Sequence, residues 1–462
     1  MANKLIFFII CAAIILTTLL YGAVHQPILV LFYAGATLIL LLWAFDSFKS
    51  GELRFSQSSV QLPLVAIIIF GLLQTIPLGS LADTAGVADI PRTISLEPFA
   101  TKSTVIHLIA LFIFFAAMLA YFDSAKRLRK IVLVITIFGF LYAFYSILQA
   151  VLSPTRIYGI YEPRFATPFG SFVNRHNFAA FMEMAIAVPL GLMFTGAIAR
   201  DKRLLYVTAI GLMGIALLLS GSRGGLVALL AEIFFLIILT TKTKGYGQIA
   251  LKIGLAVALF ATIVVGSVLI GGESSLTRFA ETAVSSDITT NRTHIWNVSL
   301  DVIKNHPVFG AGLGAFPQAY TAFDTLNGME RVEQAHNDYL QILADAGIVG
   351  LLIGAFFVFR LFRDGVRNIK THNTLRRGVA VGALAGCFAI FVHSIFDFVL
   401  HTTAISMMFL TLCALVVVSG EKFEDEEETS PTERRRKKSP ASVTPIEKKR
   451  LDNGKRKTEN GK

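Results

Sequence analysis

The sequence predicts an all-α, polytopic membrane protein with about twelve transmembrane helices, and three observations carry that prediction. Of the 462 residues, 54% are hydrophobic and only 16% are charged, whereas a soluble domain carries about a quarter charged residues. The apolar residues collect in repeated runs of about 18–22, each long enough to cross the hydrocarbon core. Short basic stretches recur between alternate runs, as cytoplasmic loops do. Backbone groups in lipid must be satisfied within their own segment, so each run is read as a helix.

The expected spans are residues 5–24, 28–45, 62–78, 104–122, 130–152, 177–197, 204–219, 224–241, 249–270, 348–362, 378–396 and 402–419. The first has a single lysine, Lys4, before it and no convincing cleavage site after it, so it reads as a retained span. Cys11, Cys387 and Cys413 lie inside apolar runs with no C-x-x-C pair, which argues against a disulfide framework or a thiolate metal site.

With the N-terminus in the cytoplasm, the inside loops are Lys126/Arg127/Arg129/Lys130, Arg200/Lys202/Arg203, Lys242/Lys244 and Arg360/Arg363/Arg367/Lys370/Arg376/Arg377. All are short and basic, and an even span count puts both termini inside. The outside face then holds 81–103, 153–176, the turn 220–223 and a long loop, 271–347, between the ninth and tenth spans. Against the charge bias, that face carries Arg156, Arg164, Arg175, Arg223, Arg278, Arg292 and Arg331. The expected organisation is a transmembrane domain, 1–420, followed by a charged cytoplasmic tail, 421–462. The tail opens acidic (EKFEDEEE), turns basic (RRRKK) and has no apolar face to bury, so it is expected to be disordered. Its basic run suits the anionic inner leaflet at about 1 kcal/mol per residue.

The long loop is the longest polar segment between spans. Asn291 is placed to cap a helix beginning near Arg292, with Ile295, Trp296, Ser299, Leu300 and Ile303 at helical spacing. Pro307 and the glycines of FGAGLGAF (Gly310, Gly312, Gly314) predict a turn-rich hinge. No strand precedes these glycines, so they do not form a dinucleotide fingerprint. A second helix is expected from about Glu333, with His336 and Asn337 in its first turn, where backbone N–H groups favour anions, and Gly347 at its end. His393, Asp397 and His401 are spaced i, i+4, i+8, which on one helical face would make a polar contact, line an acceptor path or, less readily, bind a metal. Glu183 and Glu232 are the acids well inside spans, where charge is a functional hint.

Taken together, Arg292/Trp296, Pro307/Gly310/Gly312/Gly314/Phe316, His336/Asn337/Leu340/Leu343/Asp345/Gly347 and the earlier turn Ser222/Arg223/Gly224/Gly225 resemble the motifs of the O-antigen ligase and polymerase family. The resemblance covers about 204–359. GSFVNRHNFAAF, 170–181, is similar to the family's G-x-F-x-N segment, with His176-Asn177 where the family more often has Asn-His. The resemblance implies a glycosyltransferase of the bacterial inner membrane acting on its periplasmic side. Its donor would be a glycan on undecaprenyl diphosphate and its acceptor lipid A-core or another lipid-linked repeat, with membrane lipids as the remaining partners and no nucleic acid, cofactor or metal. Ligase and polymerase share these motifs, and the span count and long Arg/His loop favour ligase. A lipid-linked glycan transporter is the distant alternative, since transporters place charge at mid-bilayer and repeat their halves.

Transfer from a diphosphate releases an anion, so the site needs a positive cradle strongest in the transition state. Arg223 and Arg292 match the family's motif arginines and are expected on the diphosphate, which guanidinium grips bidentately. Arg175, Arg164 and Arg156 lie on the preceding outer loop with Tyr158 and Tyr161, a mixture suited to sugar and phosphate. His336 is the expected general base, with Asn337, Asn174 and Trp296 in support.

Overall fold

The structure, a computed structural model, describes residues 2–79, 91–241, 292–326 and 331–421, with isolated helical positions between 250 and 265. Most of the ninth expected span, the loop residues 271–291 (Arg278 and Asn291 among them) and the tail from 422 lie outside the described residues. The described residues up to Glu421 belong to one compact unit.

Among the described residues the regular structure is helical throughout. The helices are α1 (Ala2–Leu19), α2 (Gln26–Ser50), α3 (Gln61–Gln74), α4 (Pro98–Tyr121), α5 (Ala125–Leu152), α6 (Arg175–Phe194), α7 (Arg203–Leu219) and α8 (Arg223–Thr240), then α9 (Arg292–Asn305), α10 (Phe316–Thr321), α11 (Asp338–Asn368), α12 (Thr374–His393) and α13 (Thr403–Val418). Nine described helices are long and apolar enough to cross a membrane, and α3 and α13 are shorter apolar helices. The protein is thus an all-α, multi-pass membrane protein. At 1.5 Å per residue α13 is only about 24 Å long, but each of its residues is buried, so protein rather than lipid surrounds it.

Helix starts are written in the sequence as side-chain caps. Ser124 accepts from the Arg127 amide, Asn174 from His176, Ser222 from Gly225, Asn337 from Tyr339 and Leu340, and Asn373 from Arg376. Each satisfies a donor that the first turn of a helix leaves open.

The centre of the bundle is α6 packed on α12. Every residue of α6 from Asn177 to Leu192 is buried. On α12, Gly378, Gly382 and Gly386 recur at four-residue spacing and let the two backbones meet: a Cβ on Gly191 would sit 2.3 Å from the Gly382 amide nitrogen. Small residues repeated in this way are how helices pack closely in lipid.

Contacts between the described interhelix segments fall into two groups. At one end Arg54 bridges to Asp123 (2.9 Å), Arg127 to Asp123 (3.0 Å), and the Tyr121 hydroxyl donates to Asp46 (3.1 Å). At the other end the α1–α2 junction, the 153–174 segment and the turn after α12 meet. Ser171 donates to the Thr18 carbonyl (2.6 Å), Thr403 to the Ala23 carbonyl (2.9 Å), and Asn177 to Thr402 (2.7 Å).

The described part of the long loop folds on this second end with its own small core of Val298, Val302, Phe316, Ala319, Tyr320, Ala335 and Ala344. The expected glycine hinge is instead a close-packed backbone seam. Ala311 N–H donates to Ala344 (2.8 Å), Gly312 to the Asp345 carbonyl (2.9 Å) and Ile348 to the Pro307 carbonyl (2.9 Å). Gly347 does not end a helix; it kinks α11 with φ 60°, and a Cβ there would lie 2.4 Å from the Val308 oxygen. Gln74 of α3 closes the seam by donating to Phe309 and Asp345 carbonyls and accepting from Leu313 N–H. The tenth expected span, 348–362, is therefore the membrane half of a 31-residue helix that begins in the loop.

Candidate functional site

The site forms where the starts of α6, α8, α9 and α11 meet the turn between α12 and α13. Its centre is Asp397, whose side chain is 2% exposed. Asp397 accepts from His336 Nδ1 (3.1 Å), from Arg292 Nη2 (3.0 Å) and from the Phe398 amide (3.0 Å), and His176 Nδ1 stands 3.8 Å away. Burial by itself raises the Asp397 carboxyl, but the His336 hydrogen bond and the charges of His176 and Arg292 outweigh it and hold the group well below the usual carboxylate range. The acid is therefore ionised, and His336 must carry its proton on Nδ1 to donate to it. That leaves Nε2 as the basic nitrogen of a side chain that is 29% exposed.

His336 reaches this position through strained backbone. Its φ is 51°, a region L-residues avoid, and Asn337 then turns extended and caps α11. The expected first-turn placement of His336 and Asn337 is thus corrected: the Asn337 side chain takes the Tyr339 and Leu340 amides, so the helix starts at Asp338. The Asp338 amide donates to the Ser394 carbonyl (3.0 Å), so these first amides are occupied rather than open to an anion. The Asn337 amide group also donates to the Ile395 carbonyl (2.9 Å).

The remaining candidates fall into two sets. Ser222, beside Arg223, shares a hydrogen bond with His176 Nδ1 (2.9 Å), and the next residue, Gly224, abuts His393 and Phe396. Arg223 itself is exposed. The serine–arginine turn therefore joins Asp397 through His176, and Arg175 and Asn174 stand at the same helix start. Arg292 is largely committed: besides Asp397, its guanidinium donates to the Phe396 carbonyl. Trp296 follows one turn along α9, its indole N–H buried without a partner among the described residues. Arg156 and Arg164 stay apart from this cluster. Arg156 pairs with Glu162 (3.1 Å) and Arg164 lies over the Phe165 ring. Their segment instead contributes Tyr158 and Tyr161 to an aromatic group with Tyr21 and His25.

The i, i+4, i+8 series does not lie on one helix face. α12 ends at His393, and the three side chains take different partners: His393 faces Glu183 (3.1 Å) inside the bundle, Asp397 faces His336, and His401 faces Asp338 (3.0 Å). Sequence reasoning missed His176 and the central part of Asp397. The available signal for His176 was its place beside the Asn174 cap; for Asp397 it was an acid flanked by aromatic residues between two spans.

Fold and site together define a polytopic membrane protein whose imidazole–carboxylate–guanidinium cluster lies at one end of the bundle. Residues 208–355 match the family described as O-antigen ligase, and the motif resemblance is borne out over that stretch. The match supports an enzyme of ligase-like or polymerase-like glycan transfer, acting on lipid-linked glycans in a membrane. No curated protein matches the chain. The matched stretch contains Arg223, Arg292, His336 and Asp338, while His176, Asp397 and His401 lie outside it.

Proposed function

We propose that this protein is an O-antigen ligase, transferring a glycan from undecaprenyl diphosphate to lipid A-core on the periplasmic side of the bacterial inner membrane, with both termini cytoplasmic and neither cofactor nor metal. The observation that carries the reading is the His336 Nδ1–Asp397 hydrogen bond, supported from the far side by Arg292. It leaves Nε2 of His336 to take the proton of the acceptor hydroxyl as that oxygen attacks the anomeric carbon. Arg223, with Arg175 at the same edge, is assigned to the diphosphate that departs. Arg292 contributes charge there and positions Asp397. Arg156 and Arg164, with Tyr158 and Tyr161, are assigned to the glycan farther out, and Asn337, Asn174 and Trp296 to support of the site. The domain reading keeps 1–420 as the transferase and 421–462 as a cytoplasmic tail.

The test has two parts. His336→Ala, inserted in the membrane at normal levels, abolishes glycan transfer on this reading; full activity removes the role. Deletion of the gene followed by a gel of surface glycolipids separates the acceptors. Loss of all capped lipid A-core with accumulation of lipid-linked polymer is the ligase result, whereas single-repeat caps mean a polymerase.

A further inference from the structure

The site contains a second imidazole–carboxylate pair, built from the same two segments as the first. His401 Nδ1 donates to Asp338 Oδ1 (3.0 Å). The other oxygen of Asp338 accepts from the Ser394 hydroxyl (2.8 Å) and the Leu400 amide (3.4 Å). The carboxylate is thus held on both oxygens and by its own backbone, and its side chain is 10% exposed against 38% for His401. Among the described residues no arginine or lysine meets Asp338, and no partner meets His401 Nε2.

The two pairs flank one aromatic ring. The Phe398 ring stands edge-to-face with His336 at 4.7 Å between centroids and with His401 at 6.5 Å. His336 and Asp338 are two residues apart, separated by the cap Asn337, and both reach into the same turn. The two carboxylates nevertheless differ in what they can do for their histidines. Asp397 shares its charge among His336, Arg292 and His176. Among the described residues Asp338 forms an ion pair with His401 and with no other basic side chain. A carboxylate given wholly to one imidazole favours the imidazolium; a shared one leaves its histidine freer to act as a base.

Arg292, the residue expected on the leaving diphosphate, has Nη1 and Nη2 spent on the Phe396 carbonyl and Asp397. Arg223 and Arg175 belong to the starts of α8 and α6, so a cation on the Phe398 side would add to theirs as the diphosphate departs. We propose that His401, held by Asp338, is a second substrate-contacting imidazole that binds the diphosphate of the lipid-linked donor across Phe398 from His336. The inference rests on the transferase reading above. In the transfer step the acceptor oxygen bonds to the anomeric carbon. The bond from that carbon to the diphosphate oxygen breaks, and its electron pair stays on the diphosphate. The hydroxyl proton goes to His336 Nε2, and His401 exchanges no proton. The neighbours support the charged form. Burial lowers His401, but Asp338, with Asp345 farther along α11, outweighs it and raises the group above its ordinary value. On α4 the neighbouring titratable group is His107, which feels the charge of His401 and shares a hydrogen bond with Tyr33 of α2 (3.3 Å).

The test is binding of undecaprenyl diphosphate by the purified full-length protein in detergent at pH 6 and pH 8.5. Wild type binds more tightly at pH 6. His401→Gln weakens binding at pH 6 by about tenfold, the scale of one charge-assisted hydrogen bond, and removes most of the pH dependence. Asp338→Asn shifts the loss of affinity to lower pH. His401→Arg restores binding at pH 8.5, which a purely structural role for His401 does not allow. If His401→Gln and Asp338→Asn, folded by thermal unfolding, bind with the wild-type pH profile, the proposal is wrong and the transferase reading stands. If wild type binds no undecaprenyl diphosphate at either pH, both fall together.

Discussion

Asp397→Asn is the sharpest perturbation of the site because it changes charge and barely changes shape. In the wild type the carboxylate accepts two charge-assisted bonds, from Arg292 and His336, plus one from its neighbour's amide. Hydrogen bonds to charged groups contribute about 1.5–3 kcal/mol each against about 0.5–1.5 for neutral ones. An asparagine offers one acceptor oxygen and must turn its NH2 toward either Arg292 or the Nδ1–H of His336. Breaking a buried pair costs about 3–5 kcal/mol. Arg292 and His336 keep 18% and 29% of their side-chain surface, so solvent screens part of this, and a stability loss of about 2 kcal/mol is expected.

The effect on rate is larger in kind. Without an ionised acceptor at Nδ1 nothing holds His336 in the tautomer that leaves Nε2 basic. The equivalent change in a serine protease triad costs about 10⁴-fold. His336 keeps 29% of its side-chain surface, where solvent weakens the effect, so a loss of at least about 100-fold, or about 2.7 kcal/mol of barrier, is expected. The assay is glycan transfer by purified full-length protein, read as glycolipid on a gel, beside a thermal unfolding curve for each variant. A folded Asp397→Asn protein working within threefold of wild type would refute the assignment of Asp397 as the partner of the base.

Two further predictions concern packing and pH. Gly382→Ile places a Cβ about where the Ala187 carbonyl oxygen lies, 2.5 Å away, so α6 and α12 must separate. Over-packing costs about 1–3 kcal/mol, and a lowered unfolding midpoint with reduced transfer is expected, whereas Gly354→Ala, with nothing within 4 Å, serves as the silent control. For pH, the raised value of His401 means that its pairing with Asp338 stabilises the fold fully below about pH 6.5 and is lost as pH rises through its higher folded value. The depressed value of Asp397 works oppositely, with stabilisation present above about pH 4 and lost only in stronger acid. The gap in unfolding midpoint between wild type and His401→Gln should therefore shrink from pH 6 to pH 9; a constant gap would contradict the pairing.

The helical class was legible because bilayer physics leaves few alternatives. An apolar run of span length must be helical. The caps Asn174, Ser222 and Asn337 were legible as motif residues, although their work is structural. Less legible were features that exist only between distant segments. Glu183 signalled function as an intramembrane acid, yet nothing near it in sequence points to His393, 210 residues away. Glu232 is buried with both oxygens unpartnered among the described residues, and its sequence neighbours do not say why. The four-residue spacing of Gly378, Gly382 and Gly386 went unread in the sequence, and spacing alone does not name α6 as its partner. The i, i+4, i+8 series misled because periodicity assumes that a helix continues, and α12 stops at His393.

The placement of Asp397 bears on what the catalytic unit is. The matched segment, 208–355, supplies His336, Arg223 and Arg292, but the carboxylate that orients His336 comes from the turn before α13. That turn is held in turn by elements far outside the segment: Thr402 by Asn177 of α6, and Thr403 by the Ala23 carbonyl at the α1–α2 junction. Residues 336, 337 and 338 all reach across to residues 394–401. A loop that binds the bundle through three successive side chains, one of them in strained αL backbone, has its geometry set by the bundle. Loosening the contact of Thr403 with the Ala23 carbonyl is therefore a route to misaligning the base, because the carboxylate behind it moves with the turn.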